Sequence, residues 1–501
     1  MSNIRANRNF FGQKVAEIEE NRYLCSRFCV SAEQKRDIRR TQIEQILMIN
    51  DFLITVNSYL WGWPMILLLV GTHLYLTIRL RFPQRYIGRA IRLSVQRDKG
   101  SEGDVSQFSA LATSLAATIG TGNIIGVATA VAMGGPGAVL WCWLTGVLGI
   151  ATKYSEGLLS IKYRIRTDRG EMRGGPMYAI ERGMKCRWLA IVFAVCTFFA
   201  SFGIGCVTQS NAISVAMAEY GVDPRLMGCV LAGMLALVIF FGVKGIAKVC
   251  EMLVPFMAAF YVVGCITVLC INSAYLWPAL KLIVTSAFTP QAAGGGMVGS
   301  GIMVAMRFGI ARGLFSNEAG LGSAPIVAAA ARTRNPVRQA LVSSSSVFWD
   351  TVVICAMTGL VLVSTILSPN GVDATSGAEL TKRAFGLIPA TVGDVNLGSL
   401  MLSVAIFTFA FSTILGWSYY GEKALEYLCG RYYHVGRMTF RILFVIVTYC
   451  GANWAVEAVW NFGDMANALM AIPNLICLLA LSNVLVRETR HYLWEGRLDE
   501  E

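Results

Sequence analysis

Ala117-Thr118-Ile119-Gly120-Thr121-Gly122-Asn123-Ile124-Ile125-Gly126 lies in the middle of an uncharged apolar run from Val105 to Met133. A run of that length and character spans a membrane. Its centre, however, holds three glycines, two threonines and an amide. Glycine inside a helix costs about 1 kcal/mol relative to alanine. The placement makes sense if the helix breaks there. A break frees N–H and C=O groups that hydrocarbon cannot satisfy, so they must face protein or a wet cavity, where they bind an ion or a charged substrate. The competing reading is close helix packing, which also recruits small residues.

The whole chain agrees with a membrane setting. Of its 501 residues 55% are hydrophobic and 15% charged, against roughly 25% charged in soluble domains. Mean hydropathy is +0.55. The net charge of +12 does not point to nucleic acid, because the basic residues cluster at span ends. The 14 cysteines are scattered through apolar runs and read as reduced, buried small hydrophobes. With 3 histidines, a histidine metal site is disfavoured.

Residues 1–51 read as a polar tail of mixed charge without a signal-peptide core. Eleven spans are expected after it, near 60–79, 105–133, 137–161, 188–218, 226–243, 252–273, 298–331, 340–367, 396–421, 440–454 and 458–486. The segment 52–104 holds the first span and a basic loop. Lys and Arg crowd one set of connections: 79–104, 162–187, 244–250, 332–338, 423–441 and 487–501, the last running into a C-terminal tail at 488–501. The opposite set carries only Arg225, Lys281, Lys382 and Arg383. The basic side is expected to be cytoplasmic, with the C-terminus inside. The basic N-terminal tail then lies outside, against the rule.

Spans two to six (105–273) and seven to eleven (298–487), joined by an external connection at 274–297, form two sets of five. An odd number per set starts the second half from the opposite side, which is the plan of an inverted repeat. Such a repeat requires a second interrupted helix opening the second half. Span seven supplies it: Gly309, Gly313, Gly320, Gly322 and Pro325 interrupt it, and it carries Arg307, Arg312 and Glu318. Paired interruptions of this kind point to a transport site.

Six stretches resemble the alanine or glycine:cation symporter family, the sodium-coupled amino-acid carriers of bacteria and archaea. They are Gly120–Ala130, Gly134-Gly135-Pro136-Gly137-Ala138, Ala151-Thr152-Lys153-Tyr154-Ser155-Glu156, Gly174-Gly175-Pro176-Met177-Tyr178, Phe315-Ser316-Asn317-Glu318-Ala319-Gly320 and Gly416-Trp417-Ser418-Tyr419-Tyr420-Gly421. They run in the family's order from about 60 to 486; residues 1–51 exceed its usual short lead. The resemblance implies an all-α polytopic fold like that of the leucine transporter: two inverted five-helix repeats with discontinuous first helices, plus an extra first span. It also implies sodium-coupled import of a small neutral amino acid through a bacterial inner membrane.

A zwitterion at mid-membrane needs donors for its carboxylate and acceptors for its ammonium. Backbone N–H groups around Thr121, Gly122 and Asn123 supply donors; the Asn123 amide adds another or bonds a neighbouring helix. The resemblance places Gln209 in a pocket-lining span, where its oxygen accepts from the ammonium or bonds another helix. Phe308, Gly309 and Ile310 are expected at the break of span seven, freeing carbonyls and capping the side chain, with plain packing as the alternative. Thr413 and Trp417 share a helix face, which the resemblance turns toward the substrate; a Trp there leaves room for a hydrogen or a methyl. For sodium, the resemblance selects the backbone of Ala116 and Ile119 with the hydroxyls of Ser412 and Thr413. Such hydroxyls otherwise bond back to their own helix.

Asp350 is an intramembrane charge, a functional hypothesis by default. Lys153 and Glu156, three apart, can pair as a gate or an anchor. Arg312 and Glu318 are expected as a latch.

The expected function is therefore a secondary symporter working by alternating access. Its partners are a small neutral amino acid, sodium as co-transported ion, and the lipid bilayer, with no other cofactor. Alanine and glycine are equal candidates, and no oligomeric state is implied. A proton-coupled carrier using Glu318 or Asp350 is the alternative. A membrane enzyme is disfavoured, since the chain lacks a histidine-rich cluster, a phosphate loop and a nucleophile elbow. A channel fits broken helices less well.

Overall fold

The structure, a computed structural model, describes residues 48, 50–96, 102–168, 170–289, 301–369, 377–393, 395–454 and 456–500. The chain divides into two units, Met1–Thr55 and Val56–Glu501. In the first, residues 48 and 50–55 are helical. Apart from 48, 50 and 51, the expected tail lies outside the described residues, as does the end of the 274–297 connection.

The second unit is nearly all helix. In chain order its main elements are α1 (Trp63–Arg79), α2 (Gln107–Thr118), α3 (Gly122–Gly134), α4 (Ala138–Lys162), α5 (Arg187–Ala218), α6 (Pro224–Ile239), α7 (Gly242–Ile271), α8 (Ile302–Asn317), α9 (Pro325–Ala328), α10 (Pro336–Leu367), α11 (Leu397–Cys429), α12 (Tyr433–Gly451) and α13 (Val456–Ala480). Every stretch expected to span carries helix. By length and apolarity alone, 5 unbroken helices among the described residues can cross a membrane, or up to 7 if each bent pair counts as one span. The others fall short for identifiable reasons. Lys153 and its polar neighbours dilute α4, α6 has 16 residues, and α8 ends at a break after 16.

Lipid dictates an inside-out distribution of polarity. Phe241, Met252 and Leu237 are exposed, while Thr113, Asn123, Gln209, Glu318 and Asp350 are buried. The centre of α11 is buried over Phe409–Ala424, with Trp417 and Tyr420 among the largest enclosed side chains. Asn396 caps this helix by accepting from Ser399 N.

The two helices expected to break do so differently. α2 and α3 meet at 49°, with Ile119 extended at the joint and a π-helical turn over Gly122–Gly126. α8, in contrast, is continuous through Phe308, Gly309 and Ile310. Its break comes later, at Glu318–Ala324. Gly309 and Gly313 serve packing instead: a Cβ at either would stand 2.4 Å from an oxygen of α4, the Ala138 carbonyl and the Thr145 hydroxyl respectively. Small residues that admit a neighbouring backbone look the same in sequence as small residues that end a helix.

Away from the breaks, a short hairpin, β1 (Ile165–Arg166) and β2 (Met172–Arg173), brings Glu171 and Arg173 onto the end of α11 and the start of α12. There Arg437 meets Glu171 at 3.0 Å and Glu426 at 2.5 Å, Lys423 meets Glu426 at 2.9 Å, and Arg441 meets Glu422 at 2.6 Å. Removing one partner of a buried pair strands the other charge. Glu426→Ala is therefore expected to lower unfolding free energy by about 3 kcal/mol. Glu379→Ala, which breaks an exposed pair with Arg383, should change it by less than ~1 kcal/mol. Thermal melting in detergent distinguishes the two.

Burial pushes the Glu171 carboxyl up, but Lys423, Arg437 and Arg173 together hold it below its ordinary 4.5. A depressed folded-state pKa contributes stability above the unfolded value and loses it as pH falls through the folded one. Melting temperature should therefore drop as pH goes below about 4.5, and less so in Glu171→Gln.

Candidate functional site

Both breaks expose peptide groups, and several of those groups are captured by side chains. In the first break Ile119 N still donates to Leu115 O at 2.7 Å, closing α2. Gly120 N donates to Asn123 Oδ1 at 2.9 Å, and Thr121 N to Gln209 Oε1 at 3.3 Å. The carbonyls of Ala116 and Ile119 point at α11. Ser412 Oγ donates to Ala116 O at 3.1 Å, and Thr413 Oγ1 donates to Ala116 O at 3.1 Å and Ile119 O at 3.5 Å. Each hydroxyl has one proton, and Phe409 O of the same helix is an alternative acceptor for it, at 2.8 and 3.1 Å. Four oxygens thus converge without a carboxylate, a donor set suited to a hard monovalent cation.

In the second break, α4 supplies the capture. Glu318 takes a left-handed conformation with φ 54, and Gly320 and Gly322 have φ 99 and 82. Left-handed geometry is free for glycine and costs a residue with a side chain about 1 kcal/mol. Lys153 Nζ donates to Asn317 O at 2.9 Å, placing a cation at the C-terminus of α8. Glu156 Oε1 accepts from Gly320 N at 2.9 Å, Gly322 N at 3.1 Å and Asn474 Nδ2 at 2.7 Å. Asn474 Nδ2 also donates to Gly320 O at 2.9 Å. Lys153 and Glu156 were expected to pair with each other. They make no mutual ion pair and instead hold opposite ends of one unwound segment.

Between the breaks lies a tight cleft walled by Gly120, Gly122, Gln209, Phe315, Glu318, Thr413 and Trp417, among others. Trp417 Nε1 donates to Glu318 Oε1 at 2.8 Å, and Ser323 Oγ donates to Glu318 Oε2. The expected latch of Arg312 with Glu318 does not form. Arg312 makes a two-pronged contact with Asp464 of α13, at 3.1 and 3.0 Å. Beside it Phe315 stacks on Trp460 with centroids 5.4 Å apart. Trp460 lines a second cavity of about 140 Å3, with Ile124, Asn211 and Ile406, so the ring pair stands between cleft and cavity.

Of the residues singled out in the sequence, Thr121, Gly122, Gln209, Thr413 and Trp417 gather at the first break and the cleft. Ala116, Ile119, Ser412 and Thr413 gather at the oxygen cluster. Asn123 turns away from the cleft: its Nδ2 donates to Asp350 Oδ1 at 2.7 Å. Ser316 Oγ and Thr351 Oγ1 donate to Asp350 Oδ2 at 2.8 and 2.6 Å. Asp350 therefore ties both broken segments to the π-helical turn Phe348–Cys355 of α10. Phe308, Gly309 and Ile310 are absent from the cleft wall, and Phe315, two turns further along α8, stands there. Gly320, Gly322 and Pro325 were the signal that the break lay beyond Phe315. Trp460 and Asp464 carried no such signal.

Glu156→Gln keeps an amide oxygen but removes the charge facing two glycine N–H groups. Charge-assisted bonds are about twice as strong as neutral ones. The variant is expected to lower unfolding free energy by about 2 kcal/mol, read by thermal melting in detergent, while Glu219→Gln, on an exposed pair, changes it by less than ~1 kcal/mol.

Residues 46–501 match the model of the sodium:alanine symporter family. The sodium/alanine symporter AgcS of Methanococcus maripaludis is 48% identical over 447 residues, covering 87% of this chain and 96% of that protein. An uncharacterized transporter of Haemophilus influenzae is 48% identical over 449 residues, covering 89% and 96%. Among solved structures, MhsT in complex with L-phenylalanine superposes with TM-score 0.53 at 14% identity, covering 76% of this chain and 90% of that one. A Na+-coupled sialic acid symporter gives TM-score 0.53 at 13%, covering 85% and 98%. At such identities the likeness concerns the fold. The family match and the curated relatives together make this chain an integral membrane transporter of the sodium:alanine symporter family.

Proposed function

We propose that the chain is a secondary symporter that couples inward sodium movement to import of alanine or glycine by alternating access. The observation that carries this reading is the sharing of one unwound segment by two sites. Ala116 and Ile119 offer carbonyls to the cation on one side, while Gly120 and Gly122 border the amino-acid cleft on the other. Sodium held by Ala116, Ile119, Ser412 and Thr413 would draw α2 against α11 and pre-form the cleft, so that each ligand favours the other. The Gly122 amide would face the carboxylate, joined by the Thr121 amide once it leaves Gln209 Oε1, and Trp417 and Phe315 would bound the side chain. The name of the M. maripaludis relative supports sodium and alanine; the tightness of the cleft supports glycine equally.

The layout we assign is eleven spans, two inverted repeats of five after α1, and a cytoplasmic C-terminus in a bacterial inner membrane. The side bias of Lys and Arg supports it. Arg312–Asp464 with Phe315–Trp460 would then close the outer path, and the Glu171–Arg437–Glu426 network the inner one.

Proton coupling is the second reading. Glu318 and Asp350 are buried, and among the described residues neither has a cation within ion-pair distance. A Bacillus subtilis relative carries the name putative sodium/proton-dependent alanine carrier.

Labelled alanine uptake into proteoliposomes tests both. Uptake should follow an inward sodium gradient and fall to background in choline, and Ser412→Ala with Thr413→Ala should raise the sodium requirement ~10-fold or more. Uptake that survives choline and follows a pH gradient would overturn the sodium reading in favour of the proton one.

A further inference from the structure

We propose that Glu318 and Gly205 are positioning residues that set the size limit of the cleft by fixing the pose of Trp417. This rests on the reading of the cleft as the amino-acid site. The Trp417 side chain is completely enclosed and is gripped at both ends. Its root lies on Gly205: a Cβ there would stand 2.2 Å from Trp417 Cβ and 2.5 Å from Cγ. Gly205 sits in the π-helical turn Gly203–Val207 of α5, so that helix swells where the indole needs a bare backbone. At the far end Nε1 donates to Glu318 Oε1 at 2.8 Å. Tyr420 abuts the ring edge-on at 5.5 Å.

A Trp ring is placed by two side-chain torsions. With its root pressed on Gly205 and its far nitrogen bonded to Glu318, neither torsion can turn without losing a contact. Glu318 occupies the left-handed position that ends α8, where a glycine would meet the backbone's needs with less strain. What the side chain adds is a carboxylate aimed at Trp417 and steadied by Ser323.

The three residues come from three separate elements. Trp417 belongs to α11, Gly205 to α5, and Glu318 to the unwound link after α8. The ring is therefore held in its limiting pose only while these elements are together. The discrimination belongs to the closed arrangement, and released from Glu318 the indole can swing and enlarge the cleft.

The test is competition against labelled glycine uptake in proteoliposomes, with alanine, 2-aminobutyrate and valine as competitors. Wild type should favour alanine over valine strongly. Glu318→Met keeps the bulk but removes the acceptor, and should lower the alanine-to-valine ratio about 10-fold, the scale on which one or two methylenes are discriminated. Glu318→Gln retains an acceptor for the indole and should keep the wild-type ratio whatever its uptake rate. In a Trp417→Phe background, Glu318→Met should produce no further change in ratio, because the bond it breaks is already gone.

A folded Glu318→Met with the wild-type ratio overturns the proposal, as does an equal shift in the Trp417→Phe background. Should Glu318→Met fail to fold, Trp417→Phe alone removes the donor from the other side, and an unchanged ratio there overturns it equally. If wild-type vesicles take up neither glycine nor alanine, the functional reading is what fails. If they do and the ratio does not move, this inference alone fails.

Discussion

A carboxylate that accepts two glycine amides holds the centre of this transporter together. Glu156 takes Gly320 N and Gly322 N, while Lys153, one turn earlier, donates to the Asn317 carbonyl. Inside a bilayer a helix can stop only if the freed peptide groups find partners. The helix C-terminus carries partial negative charge and receives the ammonium; the exposed amides carry partial positive charge and receive the carboxylate. The pair therefore follows the local dipoles rather than neutralising itself. Everything that the second break presents to the cleft, Glu318 included, depends on that support.

The first break is held by a different chemistry. Its captors are neutral: the Asn123 and Gln209 amides, and the Ser412 and Thr413 hydroxyls. Hydroxyls that already bond back to Phe409 O can turn between a carbonyl partner and a cation at little cost. A neutral, adjustable first break beside a charged, firmly held second break suits a machine in which one segment responds to ligand and the other provides the frame. Asp350 spans the two, reaching Asn123 on one side and Ser316 on the other.

The two clusters proposed as closures are built from opposite materials. On one side stands a single ion pair, Arg312–Asp464, with one stacked ring pair, Phe315–Trp460. On the other, three glutamates and four basic residues interlock across the hairpin, α11 and α12. An isolated pair with one aromatic lid separates with fewer simultaneous losses than a network, in which each charge has several partners.

Helix as the dominant element, the membrane setting, the first break at Gly120–Gly126 and the family were all legible in the chain, because each rests on local composition or short motifs. A glycine cluster beside a side-chain amide in an uncharged run has few physical uses. Local signals failed where one residue type serves two ends. Gly309 and Gly313 read as a break but admit α4, and Gly320 with Gly322, only turns away, hold the break itself. Partner choice was also illegible. Arg312 had Glu318 nearby in sequence, yet pairs with Asp464, 152 residues distant, and Glu318 was bound instead to Trp417. Spacing along a helix says which residues can share a face; which helix that face meets, and which long-range partner lies at bonding distance, is decided only when the chain packs.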